Sequence, residues 1–158
     1  MLRSTQPFLP PRRLPAPLAR VQQYWNSIKR GENALPFSDD VSLSALPELS
    51  DNLMLVDVFE RPVRFRFSKI GQAIVANAEQ NLTGKFADEL VVRRPFEFFL
   101  AQGSVTVEAR GPTFYRHAPT KGKEGDSGYS RLLVPTWGNG RVDMLICAVV
   151  YPRSSLQN

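Results

Sequence analysis

The order of apolar and polar residues over positions 53–67 predicts a β-hairpin. Residues 53–58 form a largely apolar run, and a polar break at 60–62 separates them from 63–67, where two phenylalanines alternate with two arginines. Side chains of a strand point alternately to opposite faces, so the second run has one apolar and one charged face. This pattern is typical of antiparallel strands, and we expect the two runs to pair.

The last third of the chain predicts three more strands, over residues 113–117, 130–137 and 141–151. A Gly-Asn-Gly sequence between the last two runs is a hairpin turn signal. The final run is apolar on both faces, which predicts a central strand covered on both sides. One face carries Val142, Met144, Ile146, Ala148 and Val150, and the other carries Leu145, Cys147, Val149 and Tyr151.

An amphipathic helix is predicted over residues 18–31. Leu18, Val21, Trp25 and Ile28 follow at spacings of three, four and three residues, which places them in one stripe of a helix. A glycine at position 31 suits the helix end. The stripe must be buried, either against the helix's own domain or against a second copy of the chain.

Shorter helical segments are predicted over 70–78 and around 96–100, between the two groups of strands. The predicted order is therefore a helix, a hairpin, short helices and a three-stranded meander. Two strands and three strands can form one sheet, so we predict an α+β fold with a five-stranded antiparallel sheet.

The chain of 158 residues has the length of one domain. Residues 1–17 contain five prolines and predict a flexible tail rich in proline and arginine. After the helix, residues 32–52 are a polar connection, residues 53–152 are the predicted core, and residues 153–158 are a second tail.

The net charge of +5 does not predict a basic face. The first twenty residues hold four arginines and no acid, so only one net positive charge belongs to the other 138 residues. We therefore expect no nucleic-acid partner. The longest apolar run has eight residues, whereas a spanning helix needs about 20, so we expect no membrane insertion. A single cysteine excludes an internal disulfide and favours a reducing, cytoplasmic location.

The sequence offers no catalytic or metal-binding constellation, and we predict no enzyme activity and no cofactor. His117 is the only histidine, and Cys147 lies in the most apolar run, where a buried structural thiol is expected. The acidic residues are scattered and lack the spacing of metal ligands.

The chain resembles the PAS domain, and most closely the single-domain PAS-like family common in alphaproteobacteria. The order and spacing of several short segments carry the resemblance, which covers residues 18–152, and segment 118–128 departs from it by being longer. The segments are Tyr24-Trp25, Leu55-Val56-Asp57-Val58, Pro62-Val63-Arg64-Phe65-Arg66-Phe67, Ile70-Gly71, Asn81-Leu82-Thr83-Gly84-Lys85, Asp88-Glu89-Leu90, Arg131-Leu132-Leu133-Val134-Pro135 and Val142-Asp143-Met144-Leu145.

The resemblance implies a sensory or regulatory module with short helices on one face of the sheet and the N-terminal helix on the other. Its aromatic residues would enclose either a small apolar ligand pocket or a simply filled core. We predict as candidate pocket residues Phe65, Phe67, Phe86, Phe99, Tyr115, Leu133 and Met144.

Only seven residues follow Tyr151, so we expect any regulatory output to come from a protein partner supplied in trans. A homodimer is also expected, with the stripe of Leu18, Val21, Trp25 and Ile28 as the candidate interface. Two alternatives remain open, namely a pure interaction or scaffold protein with a filled core and a small-molecule enzyme.

Overall fold

The computed structural model describes residues 7–80, 82–119, 122 and 128–152. Within them lies one sheet with the strand order β2-β1-β5-β4-β3, and every pairing is antiparallel. The predicted α+β class with a five-stranded antiparallel sheet is confirmed. The strands are β1 (Leu53–Phe59), β2 (Arg64–Ile70), β3 (Thr113–His117), β4 (Tyr129–Gly138) and β5 (Arg141–Val150).

Three α-helices occur in the described residues, and 3₁₀ turns occupy the connections. The helices are α1 (Ala16–Ser27), α2 (Gln72–Ala78) and α3 (Phe99–Ala109). The 3₁₀ turns are Ser38–Asp40, Leu43–Ala45, Pro47–Asn52 and Ala87–Glu89.

Strand β5 joins the hairpin to the meander because it pairs with β1 on one side and with β4 on the other. Its residues from Leu145 to Val149 are buried, as the apolar character of both faces predicts. The turn between β4 and β5 has positive φ at Asn139 and Gly140, which suits the right-handed twist of the two strands.

Helix α1 begins at Ala16 and ends at Ser27, whereas the spacing predicts residues 18–31. Pro17 lies in the first turn, where its missing N–H costs nothing. The helix packs against β4 and β5. The Trp25 indole N–H donates to the Pro135 carbonyl at 2.7 Å, so the helix is fixed to β4 by a buried hydrogen bond.

The segment before α1, predicted as a flexible tail, contacts the edge of the sheet at Phe8. The Phe114 N–H donates to the Phe8 carbonyl at 2.9 Å, and the Phe8 ring lies 6.1 Å from that of Tyr115. Residues 1–6 and 153–158 of the predicted tails lie outside the described residues, as do Asn81 and most of segment 118–128.

The connection between α1 and β1 contacts the sheet beside the turn between β4 and β5. The Ser38 hydroxyl donates to the Asp143 carboxylate and lies 2.7 Å from the Thr136 hydroxyl. The Trp137 N–H donates to the Pro36 carbonyl at 2.9 Å. These contacts keep residues 36–38 beside β4 and β5.

We expect the Trp25→Phe substitution to lower the free energy of unfolding by about 2 kcal/mol, because the buried Pro135 carbonyl loses its donor. Urea denaturation measures the change. Trp137→Phe is the control, since the Trp137 indole N–H forms no hydrogen bond with the described residues and its loss should cost less than about 1 kcal/mol. Equal losses from the two substitutions would contradict a special role for the Trp25 bond.

Candidate functional site

The predicted pocket residues Phe65, Phe67 and Phe99 are buried and pack against one another. Phe96 completes this cluster, and neighbouring ring centroids lie 5.2 to 6.2 Å apart. Strand β2 supplies the first two rings, and the start of α3 supplies Phe99. The four rings occupy part of the space between the sheet and α3.

Helix α3 approaches this aromatic cluster closely at Gly103. A Cβ atom at this position would lie 2.8 Å from Cζ of Phe65, which is shorter than a van der Waals contact. The glycine therefore allows the helix backbone to rest on the ring, and no room for a further methyl group remains there.

The other predicted pocket residues do not share one lining. Phe86 is half-buried beyond the edge of β2, with the Arg64 guanidinium 3.8 Å from its ring centroid. Leu133 is buried and pairs with Cys147. Met144 is three residues from Cys147 along β5, so its side chain belongs to the opposite face of the sheet from Leu133.

Arg131 is a completely buried arginine, which the sequence analysis names only within a segment of the resemblance and not as a site residue. Its Nε donates to Oε1 of Gln102 at 2.7 Å, Nη1 donates to the Pro95 carbonyl at 2.7 Å, and Nη2 donates to the Glu97 carbonyl at 2.9 Å. The guanidinium carbon also lies 5.2 Å from the Phe99 ring centroid and 4.9 Å from that of Tyr115.

The acceptors of Arg131 are neutral oxygens, although burial of an unpaired charge is costly. Burial is the main cause that lowers the pKa of Arg131, and the Cys147, Tyr129, Tyr115 and Glu97 side chains act in the opposite direction. Aromatic faces supply negative potential to the cation. The arrangement ties the segment before α3, α3 itself and β4 together.

A polar rim continues from Arg131 toward the surface. The Tyr129 hydroxyl donates to Oε1 of Glu97 at 2.5 Å, and the imidazole of His117 stacks on the Tyr129 ring with centroids 5.0 Å apart. Burial raises the pKa of Tyr129, and its hydrogen bond to Glu97 raises it further. The Tyr115 hydroxyl lies 3.1 Å from Nδ1 of His117.

Helix α3 also contributes buried polar groups to this interior. Gln102 Nε2 donates to Oγ1 of Thr113 at 3.1 Å, and the Thr106 and Thr113 hydroxyls are 2.6 Å apart. These bonds satisfy polar atoms that would otherwise be unpaired in the core. They fix α3 to β3 by side-chain contacts.

Cys147 is buried, as predicted from its apolar run. Burial raises the pKa of its thiol from 9.0 to about 12. The thiol is therefore neutral near pH 7, and a neutral thiol is a poor nucleophile.

Among the described residues, no three histidine, cysteine, aspartate or glutamate side chains are grouped closely enough to hold a metal ion. The same part of the chain contains no helix with both the length and the apolar character needed to span a bilayer.

An exposed apolar patch surrounds the start of α3, and we define it as Val91, Val92, Phe98 and Leu100. Val91 is 70% exposed, and Phe98 is 65% exposed. A cavity of about 250 Å³ lies within the patch, lined by apolar side chains that include those of Phe96 and Phe99. Solvent-exposed apolar patches often mark protein contacts.

Phe98 holds its exposed position in an unusual backbone conformation. Its φ angle is +58°, a left-handed value that bulky residues seldom adopt. The ring is also positioned by Tyr115, whose centroid is 5.7 Å away. The fold therefore presents Phe98 to solvent in a defined orientation.

The candidate interface stripe lies within the chain's own core. Leu18, Val21 and Trp25 are buried, and Ile28 is half-buried against the same core. The first three side chains have almost no surface to offer a second copy of the chain.

A scan against protein-family models and a search of the curated proteins both returned no match to this chain.

We expect Arg131→Met to lower the free energy of unfolding by about 3 kcal/mol. Methionine fills much of the space of the arginine stem, but it leaves three acceptors without this donor, two of them in buried hydrogen bonds. Chemical denaturation tests this, with Arg116→Met on the adjacent strand as the exposed control, expected to change stability by less than about 0.5 kcal/mol. An unchanged stability of Arg131→Met would show that the buried network does not hold the fold.

Gly103→Ala tests whether the interior beside Phe65 is filled. Alanine normally stabilises a helix by up to about 1 kcal/mol relative to glycine. Here we expect a net loss of about 1 to 2 kcal/mol, because the new methyl group would force the buried ring to move.

The control for this prediction is Gly111→Ala, where the nearest atom to an added Cβ is the Ala109 carbonyl oxygen at 3.9 Å. Thermal and urea unfolding of both variants give the comparison. A more stable Gly103→Ala protein would reveal unfilled space between α3 and β2.

Proposed function

We propose that this protein is a non-catalytic, PAS-like regulatory module that acts through contacts with other proteins. The proposal extends the resemblance noted in the sequence, since the two-stranded hairpin and the three-stranded meander form one sheet with α2 and α3 inserted between them. In this proposal, α1 covers the sheet face opposite α3. That placement agrees with the packing of α1 on β4 and β5.

The close packing beside Phe65 and around Arg131 favours protein contact over ligand gating, two possibilities that the sequence left open. Four phenylalanine rings pack together, and Arg131 occupies the adjoining space with its own hydrogen-bond partners. A ligand entering there would have to displace these side chains and break buried hydrogen bonds.

The exposed apolar patch is the observation that carries the proposal. Phe98 is an aromatic side chain held outward beside an apolar cavity, which is the usual composition of the centre of a protein interface. The candidate stripe on α1 is covered by its own chain, so we place protein contacts at the patch. A homodimer remains a prediction, and a second copy is one of the proteins that the patch could bind.

Photo-cross-linking in the native host tests the proposal. With p-benzoyl-phenylalanine in place of Phe98 in the full chain, we expect a discrete cross-linked product that mass spectrometry identifies. Ser104, exposed on α3 outside the patch, is the matched control position and should give no such product. Adding Leu100→Ser should weaken the cross-link, because it lowers the apolar area of the patch.

Indistinguishable products from the Phe98 and Ser104 positions, or no product from either, would refute the patch as a contact surface. A product that contains two copies of this chain would identify a homodimer contact at the patch.

A further inference from the structure

A second surface lies between residues 11–15 and the sheet, with lining residues from β3, β4 and β5. Its groove has a cavity volume of about 670 Å³. Apolar side chains form much of the wall, including Leu14, Phe114 and Val150. The groove is partly open to solvent, and its lining includes none of the four clustered phenylalanine rings.

The described lining of this groove is basic. Arg13 and Arg116 both contribute to it, and no aspartate or glutamate does. Both arginines are exposed, and neither forms a hydrogen bond or an ion pair with another residue that the structure describes. Most arginines elsewhere in the fold have partners, as in the pairing of Arg64 with Asp88 at 2.7 Å. The described lining of the groove therefore places two positive charges beside an apolar wall.

The groove also adjoins an open strand edge. β3 is the last strand of the sheet, and its outer side receives the Phe8 carbonyl at the Phe114 N–H. Backbone groups of alternate residues point to the same side of an antiparallel strand, so the Arg116 N–H and carbonyl face outward as well. No described residue pairs with them.

We infer that this groove binds an extended acidic segment of a partner protein, which adds to the edge of β3 at Arg116. Backbone hydrogen bonds at Arg116 would fix the segment in an extended conformation. Its acidic side chains would pair with Arg13 and Arg116, and the side chains between them would lie on the opposite face of the added strand, the face that carries Tyr115. The inference rests on the proposed function, since it names the kind of partner that a contact module would recognise.

The probe is a fluorescein-labelled peptide of alternating glutamate and valine, acetyl-EVEVEVE-amide, titrated with the full-length protein by fluorescence anisotropy. We expect it to bind, whereas the matching lysine–valine peptide should not. The Arg13→Gln/Arg116→Gln variant should bind the acidic peptide about tenfold more weakly. The Arg12→Gln/Arg61→Gln variant removes the same charge from exposed positions outside the described lining and should bind as the unmodified protein does.

Amide hydrogen exchange tests the strand-edge contact separately. Bound peptide should slow exchange of the Arg116 amide, while the Phe114 amide, which already donates to Phe8, should change little. An unchanged Arg116 amide in the complex would overturn the strand addition. Equal weakening in the two double variants, or no binding at about 1 mM protein, would overturn the groove as an acidic-segment site.

These outcomes can be separated from those of the proposed function. A partner cross-linked at Phe98, together with failure of the acidic peptide, would reject only the groove. Binding of the peptide with groove-specific loss in Arg13→Gln/Arg116→Gln, but no cross-link at Phe98, would reject the patch and leave the groove.

Discussion

The hydrogen bonding of the buried Arg131 guanidinium is the interaction on which the helical side of the fold depends. It joins β4 to Gln102 of α3 and to the carbonyls of Pro95 and Glu97. The segment around residues 95–98 has little regular structure of its own, so these bonds determine where it lies. The position of the exposed Phe98 ring follows from that placement, because α3 begins directly after it.

The charged guanidinium of Arg131 can be buried in the core only because its neighbours replace the interactions that it would make with water. Three neutral oxygens accept its N–H groups, and the rings of Phe99, Tyr115 and Tyr129 surround its plane. An aliphatic side chain would avoid the desolvation cost, but it could not hold two carbonyls and one amide at once. The geometry therefore favours a defined interior over a ligand-accepting one.

The local sequence pattern was sufficient to predict the strands, because the alternation of apolar and polar residues along a strand depends only on neighbouring residues. The two apolar faces of β5 likewise predict its central position. Arg131 could have been noticed because it alternates with Tyr129 and Leu133 along β4, on the face of the strand that points into the core. Its acceptors lie 29 to 36 residues away along the chain, so no local pattern identifies them. The exposure of Phe98 could not be predicted from a local pattern either, since it depends on the turn that precedes α3.

Tyr115 connects the apolar patch to the N-terminal segment and to the buried arginine. Its ring lies 5.7 Å from Phe98 of the apolar patch, 6.1 Å from Phe8 of the N-terminal segment and 4.9 Å from the Arg131 guanidinium carbon. Contact alone does not couple two sites, because a partner shifts an equilibrium only when it binds two arrangements with different affinities. Tyr115 lies on a strand fixed to β4 along its whole length. The strand therefore holds Tyr115 in one position, and in the proposed function a partner that contacted both surfaces would gain affinity from preorganisation rather than from a conformational change.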